Sequence, residues 1–239
     1  MYSVLLLGLL IGLQHALEAD HLAAVASLST RSGTLGDAAR QGAAWGIGHS
    51  LTLLVFGGAL LIIDTRLAPW LADALEATVG VMLILLGLDV LRRLWQRRVH
   101  FHAHRHGTQR HFHAHSHARD ADHGADPHRH AHAARLPTRA LLVGMVHGLA
   151  GTAALLVFAL GSIDSALQGL GYIAVFGLGS IIGMTALAVV VSLPLRWSAR
   201  RLTWAHNGLT LVFGLLSVVL GFVLLQQSGL ELLRLAVLA

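Results

Sequence analysis

The chain has 239 residues, 55% of them hydrophobic and only 12% charged, with a mean hydropathy of +0.66; a soluble domain carries about twice that charged fraction, so much of this sequence is built for lipid. It has no cysteine, which excludes disulfides, thiolate metal sites and thiol redox chemistry. Its cations are all arginines, 17 of them, set between apolar stretches rather than in a stripe, so the high isoelectric point gives no reason to expect nucleic acid as a partner.

A membrane-spanning helix needs about 20 mostly apolar residues. Six stretches qualify: 3–29, 39–63, 70–94, 138–161, 167–195 and 204–227. The first lacks a basic leader and contains charged residues, so it is read as part of the mature protein rather than a cleaved signal. The predicted fold class is all-α, a polytopic membrane protein of six transmembrane helices arranged as two inverted three-helix repeats. The first repeat covers 1–95, a polar loop 96–137, the second repeat 138–227 and a short tail 228–239.

Arginine placement predicts orientation. With loops alternating sides, 15 of the 17 arginines fall on one side, and only Arg66 and Arg234 on the other. The positive-inside rule makes the arginine-rich side cytoplasmic. The expectation is a multi-pass inner-membrane protein with both termini outside and the polar loop in the cytoplasm.

The repeat is read from three ordered matches. Gly12-Leu13-Gln14-His15 resembles Gly144-Met145-Val146-His147. Trp45-Gly46-Ile47-Gly48-His49 resembles Phe176-Gly177-Leu178-Gly179-Ser180, and Gly80 and Gly87 match Gly214 and Gly221. Two halves of three helices each enter the membrane from opposite sides, as in many transporters, with the substrate site near midplane. The bland alternative is coincidence among Gly- and Leu-rich helices. Glycines four apart (Gly8 and Gly12, Gly42 and Gly46, Gly144 and Gly148, Gly179 and Gly183) predict close backbone packing of the first, second, fourth and fifth segments.

The first segment carries His15, Glu18, Asp20 and His21 within seven residues. A charge at bilayer depth costs about 2.5–3.5 kcal/mol even on insertion scales, so these groups need partners. Imidazole with carboxylate suits nickel, cobalt or zinc, whereas calcium and magnesium prefer oxygen throughout. On a regular helix His15, Glu18 and His21 form one stripe; Asp20 lies off it and joins only if the helix kinks or if Asp20 orients an imidazole. The alternative is a polar network that merely glues helices together. His49 and His147 are read as candidate ligands, each with a buried, hydrogen-bonded core role as the rival. Glu76 is noted as a candidate pore residue, Asp89 as an ion-pair partner of Arg92 and Arg93 at a helix end, and His206 as interfacial.

Twelve histidines fall between His100 and His132, largely at alternating positions. A segment so polar cannot bury a core and is expected to be disordered, a flexible chelator of metal ions; a solvated linker is the alternative.

The run His15-Ala16-Leu17-Glu18-Ala19-Asp20-His21 reads H-x-x-x-x-D-H. It resembles the signature helix of the nickel/cobalt transporter superfamily, especially its six-helix branch related to urease accessory membrane proteins. Gly48-His49-Ser50 resembles the second signature, and Gly148-Leu149-Ala150-Gly151-Thr152 and Phe176-Gly177-Leu178-Gly179-Ser180 resemble further segments of that branch. The resemblance implies His15, Asp20, His21 and His49 as metal determinants, with Glu18 and His147 added from the residues themselves. An acidic pattern of the larger importers is missing at Gly151-Thr152-Ala153-Ala154. The expectation is transport of Ni2+ or Co2+, with Zn2+ as a further candidate, across the lipid bilayer, in an undetermined direction and without enzymatic activity. The rival is a non-transporting accessory protein, a metal chaperone or sensor for enzyme maturation.

Overall fold

The structure, a computed structural model, describes residues 2–30, 32–63, 67–96, 100–106, 109–115, 137–162 and 165–238. The first predicted span is not one helix. α1 (Tyr2–His15) stops at His15, and α2 (Ala19–Ser29) starts after Glu18, whose backbone is extended at φ −62° and ψ 150°. In the break the Leu17 N–H donates to Gln14 O at 2.9 Å and the Glu18 N–H to His15 O at 3.1 Å; Leu22 then restarts the helical ladder on Glu18 O.

α3 (Leu35–Thr52) opens with a capping box, Thr34 Oγ1 accepting from the Asp37 N–H while the Asp37 carboxylate accepts from the Thr34 N–H. A π-helical turn, Leu53–Gly57, joins it to α4 (Gly58–Ile62). α5 (Pro69–Gln96), α6 (Thr138–Ser162), α7 (Ala166–Arg201) and α8 (Thr203–Leu238) complete the bundle, α7 capped by Ser165 Oγ accepting from the Gln168 N–H at 3.3 Å. The stretch from residue 228, expected to be a separate tail, continues α8, with Glu231 and Arg234 paired at 2.6 Å on adjacent turns.

Among the described residues, four helical stretches are long and apolar enough to cross a membrane: Leu35–Ile62, Pro69–Gln96, Ala166–Ala199 and Thr203–Leu232. Leu5–His15 is apolar but shorter. Large apolar side chains stand on the outer surfaces of these helices, Leu85 at 62% exposure, Phe222 at 61% and Val219 at 57%. Contiguous apolar surface of this kind is what a lipid solvent demands. The chain is a helical membrane protein.

Glycines set the helix contacts. A Cβ on Gly12 would collide with the carbonyl of Phe176, and one on Gly144 with the carbonyl of Trp45. A Cβ on Gly179 would meet the carbonyl of Leu9, and one on Gly48 the carbonyl of Leu141. Gly12 and Gly144, Phe176 and Trp45, Gly179 and Gly48, and Leu9 and Leu141 are separated by 131 or 132 residues. So α1 meets α7 as α6 meets α3. The third pair closes on itself: a Cβ on Gly80 would lie 2.8 Å from Gly221 O, and one on Gly87 2.6 Å from Gly214 O. The close packing expected from glycine spacing is present.

On the arginine-rich side, Asp89 accepts from Arg139 at 2.9 Å and pairs with Arg93 at 3.3 Å, and Arg196 donates to Gly33 O at 2.6 Å. The polar loop, expected to be disordered, holds an antiparallel hairpin in its first part. β1 (His100–His106) pairs with β2 (Gln109–His115), setting His100 opposite His115, His102 opposite His113 and His104 opposite His111. His117, His123, His128, His130 and His132 lie outside the described residues.

Candidate metal centre

The break in the first segment builds the site. It leaves His15 at the end of α1 and puts Asp20 and His21 in the first turn of α2. α3 supplies His49 and α6 supplies His147. The ring centroids of His15 and His21 are 4.3 Å apart, those of His15 and His49 5.2 Å, and those of His21 and His49 5.3 Å. The His147 ring centroid lies 4.1 Å from that of His21, the two planes tilted by 44°. His21, His49 and His147 are buried at 1%, 0% and 2% exposure, in a region where an unmet polar group is costly.

The carboxylates decide which nitrogens are free. Glu18 Oε1 accepts from His15 Nδ1 at 2.9 Å. Asp20 Oδ1 accepts from the His21 backbone N–H at 2.8 Å and from His21 Nδ1 at 2.9 Å, and Asp20 Oδ2 accepts from His147 Nε2 at 3.0 Å. With Nδ1–H committed to a carboxylate, Nε2 of His15 and of His21 each presents a lone pair. His15 Nε2 lies 3.3 Å from His49 Nε2. His21 Nε2, His49 Nδ1 and His147 Nδ1 are buried and have no hydrogen-bond partner. Leaving a buried polar atom unpaired costs about 1–3 kcal/mol. Three in one cluster set it apart from a satisfied polar glue.

A divalent cation fits these residues. Two nitrogens each about 2.0–2.1 Å from one ion stand about 2.8–3.4 Å apart at bond angles between 90° and tetrahedral, and the His15–His49 spacing of 3.3 Å falls in that range. One ligand atom from each of His15, His21 and His49 lies within 4.8 Å of the others, and the same holds for Asp20, His21 and His147. The carboxylate behind an imidazole, as Glu18 and Asp20 stand here, fixes ring and tautomer and raises ligand basicity.

A cavity of about 440 Å³ reaches the cluster, with His15, Glu18, Asp20, His21 and His147 in its wall. Its wall also includes Ala72 and Glu76 early in α5, Tyr172 early in α7, and Leu224 far along α8. These positions lie toward the end of the bundle away from the arginine-rich loops. On the other flank stands Trp45, fully buried, its ring 5.3 Å from that of His21 and 5.7 Å from that of His147.

All six candidate residues therefore meet. His15, His21 and His49 converge, with His21 Nε2 and His49 Nδ1 unpaired, Asp20 bridges two imidazoles, and His147 joins from α6. Glu18 is an orienting group rather than a member of the buried stripe; its side chain is 56% exposed. Of the other residues noted, Glu76 lines the cavity, while Asp89 does not and forms the ion pairs already described. His206 faces Leu195 O at 3.1 Å, away from the centre. Trp45 and Phe176 were not singled out as site residues. Phe176 packs on His15 at 5.3 Å. Trp45 lies four residues before His49, hence on the same helical face, and that spacing was the available signal.

The family model described as the cytochrome c biogenesis protein transmembrane region matches residues 3–222. The urease accessory protein UreH of Bacillus sp. (strain TB-90) is 30% identical over 230 residues, 96% of this chain and 93% of that protein. No solved structure matches. The chain, though it has no cysteine of its own, belongs to the cytochrome c biogenesis protein transmembrane-region family and is a relative of a urease accessory protein.

Proposed function

We propose that this protein carries a divalent transition-metal cation, nickel or cobalt, across the bacterial inner membrane through the buried histidine–carboxylate cluster, without enzymatic chemistry. The observation that carries this reading is the convergence of His15, His21 and His49, with His21 Nε2 and His49 Nδ1 buried and unpaired, at the end of a cavity. Nitrogen-rich ligation with a carboxylate suits nickel, cobalt or zinc, and the urease accessory relative fits nickel. The H-x-x-x-x-D-H run, which resembles the signature helix of the nickel/cobalt transporter superfamily, supports the same reading.

The architecture behind it is six spans in two inverted repeats, α1–α2, α3–α4 and α5 against α6, α7 and α8. Glycine contacts that exchange partners at an offset of 131 or 132 residues support the pseudo-twofold relation. The arginine-rich loops and the histidine-rich loop lie in the cytoplasm and both termini outside. The cavity then faces outward, and Trp45 stands between the cluster and the cytoplasm.

The printed role of the relative, an accessory protein, favours a second reading: a membrane chaperone that delivers metal from the loop without transporting it. Metal accumulation in cells with and without the protein, measured separately for Ni2+, Co2+ and Zn2+, tests transport and reports direction. Removing residues 100–132 separates the readings. A carrier keeps most of its flux; a chaperone shows no flux in either form and loses its support of enzyme maturation.

A further inference from the structure

We infer that the cluster holds its cation in two alternative positions that share His21, and that the ion is handed from one to the other; this rests on the carrier reading above. The first position is formed by His15, His21 and His49, the second by Asp20, His21 and His147. A ligand atom from each member lies within 4.8 Å of the others in both groups.

His21 makes the two positions exclusive. Its Nδ1 is 2.9 Å from Asp20 Oδ1, while its Nε2 is buried and unpartnered. A neutral imidazole offers one lone pair at a time. When Nε2 takes the ion beside His15 and His49, Nδ1 keeps its proton and donates to Asp20. When Nδ1 takes the ion beside Asp20, that proton must sit on Nε2. His147 makes the matching exchange: its Nε2–H donates to Asp20 Oδ2 at 3.0 Å and its Nδ1 is bare, so Nε2 becomes a ligand when the proton moves to Nδ1. Both protons stay on their own rings, no bond to carbon changes, and no net proton is released. Asp20 gains a cation in place of two N–H donors, so its charge remains compensated in either state.

The first position is built wholly from the first half of the chain, and the second adds His147 from the other half. His15 and His147 occupy corresponding places in the two repeats, 132 residues apart. The first position is centred on α1, where the helix is broken after His15; the second reaches α6, which runs unbroken through His147. Passing the ion from the first position to the second trades His15 and His49 for Asp20 and His147.

The test uses the full-length chain in detergent with its loop histidines replaced by serine, titrated with Co2+ and examined by X-ray absorption, which counts imidazoles. The wild-type cluster should bind one ion with three imidazoles. His49→Gln and His147→Gln should each weaken binding by about threefold or less, because the other position remains. The double variant should lose on the order of a hundredfold or more, well beyond the sum of the two effects. In His49→Gln the remaining ion should show two imidazoles with a carboxylate. Glutamine retains the bulk of the side chain, and unchanged gel-filtration elution reports folding; a variant that elutes as aggregate is replaced by the asparagine version. Two ions in the wild-type cluster, or one ion with four imidazoles and additive losses, overturns the hand-over. So does a His49→Gln defect that His147→Gln does not deepen. No binding to the wild-type cluster overturns the carrier reading itself.

Discussion

Asp20 joins two histidines from different helices, taking His21 Nδ1 on one carboxylate oxygen at 2.9 Å and His147 Nε2 on the other at 3.0 Å. One side chain thereby sets the tautomer of both imidazoles and ties α2 to α6. Asp20→Asn keeps the shape but removes the charge and turns one acceptor into a donor facing an N–H. The expected result is a loss of metal affinity of about 10–100-fold, as for other groups that orient metal-binding histidines. Calorimetric titration with Co2+ on folded, monodisperse protein measures it.

Glu18 does the same for His15 from the rim of the cavity, where its side chain is 56% exposed. Water can replace part of what it supplies. Glu18→Gln should therefore weaken binding less than Asp20→Asn does, by about tenfold at most. The same titration, run on both variants in parallel, gives the order.

The helix contacts make a separate prediction about stability. A Cβ on Gly144 would strike the Trp45 carbonyl and come within 2.7 Å of its ring, whereas a Cβ on Gly208 meets nothing within 4 Å. Gly144→Ala should destabilise by about 1–3 kcal/mol or more through overpacking. Gly208→Ala should stay within about 0.5 kcal/mol of wild type. Thermal unfolding in the same detergent compares them, and a matching shift in both would remove glycine packing as the basis of the bundle.

The sequence carried the candidate residues because ionisable groups stand out in apolar surroundings. His15, Asp20, His21, His49 and His147 all reach one centre. It did not reveal the break after His15. Ala16, Leu17 and Glu18 are good helix formers, and nothing local marks a stop. Packing overrides propensity there: Ala16 is fully buried, and a Cβ on Gly183 would lie 2.7 Å from its own Cβ. On a regular helix Asp20 lies off the stripe of His15, Glu18 and His21; the break is the kink that brings it in, where it orients His21 and His147. The alternation of the loop histidines already suits an extended chain, but the pairing of two such stretches as a hairpin has no local signal. Trp45 was read as part of a repeat, and only the folded chain brings its ring against His21 and His147.

The most direct test of metal passage through the buried cluster is Ni2+ and Co2+ flux into proteoliposomes containing wild-type or His21→Ala protein, with insertion and folding checked by gel filtration after re-extraction. His21 belongs to both ligand groups, so its loss should bring flux down to that of empty liposomes while wild type moves the ion. Equal flux through the two proteins would mean that the ion crosses by a route that does not involve this centre.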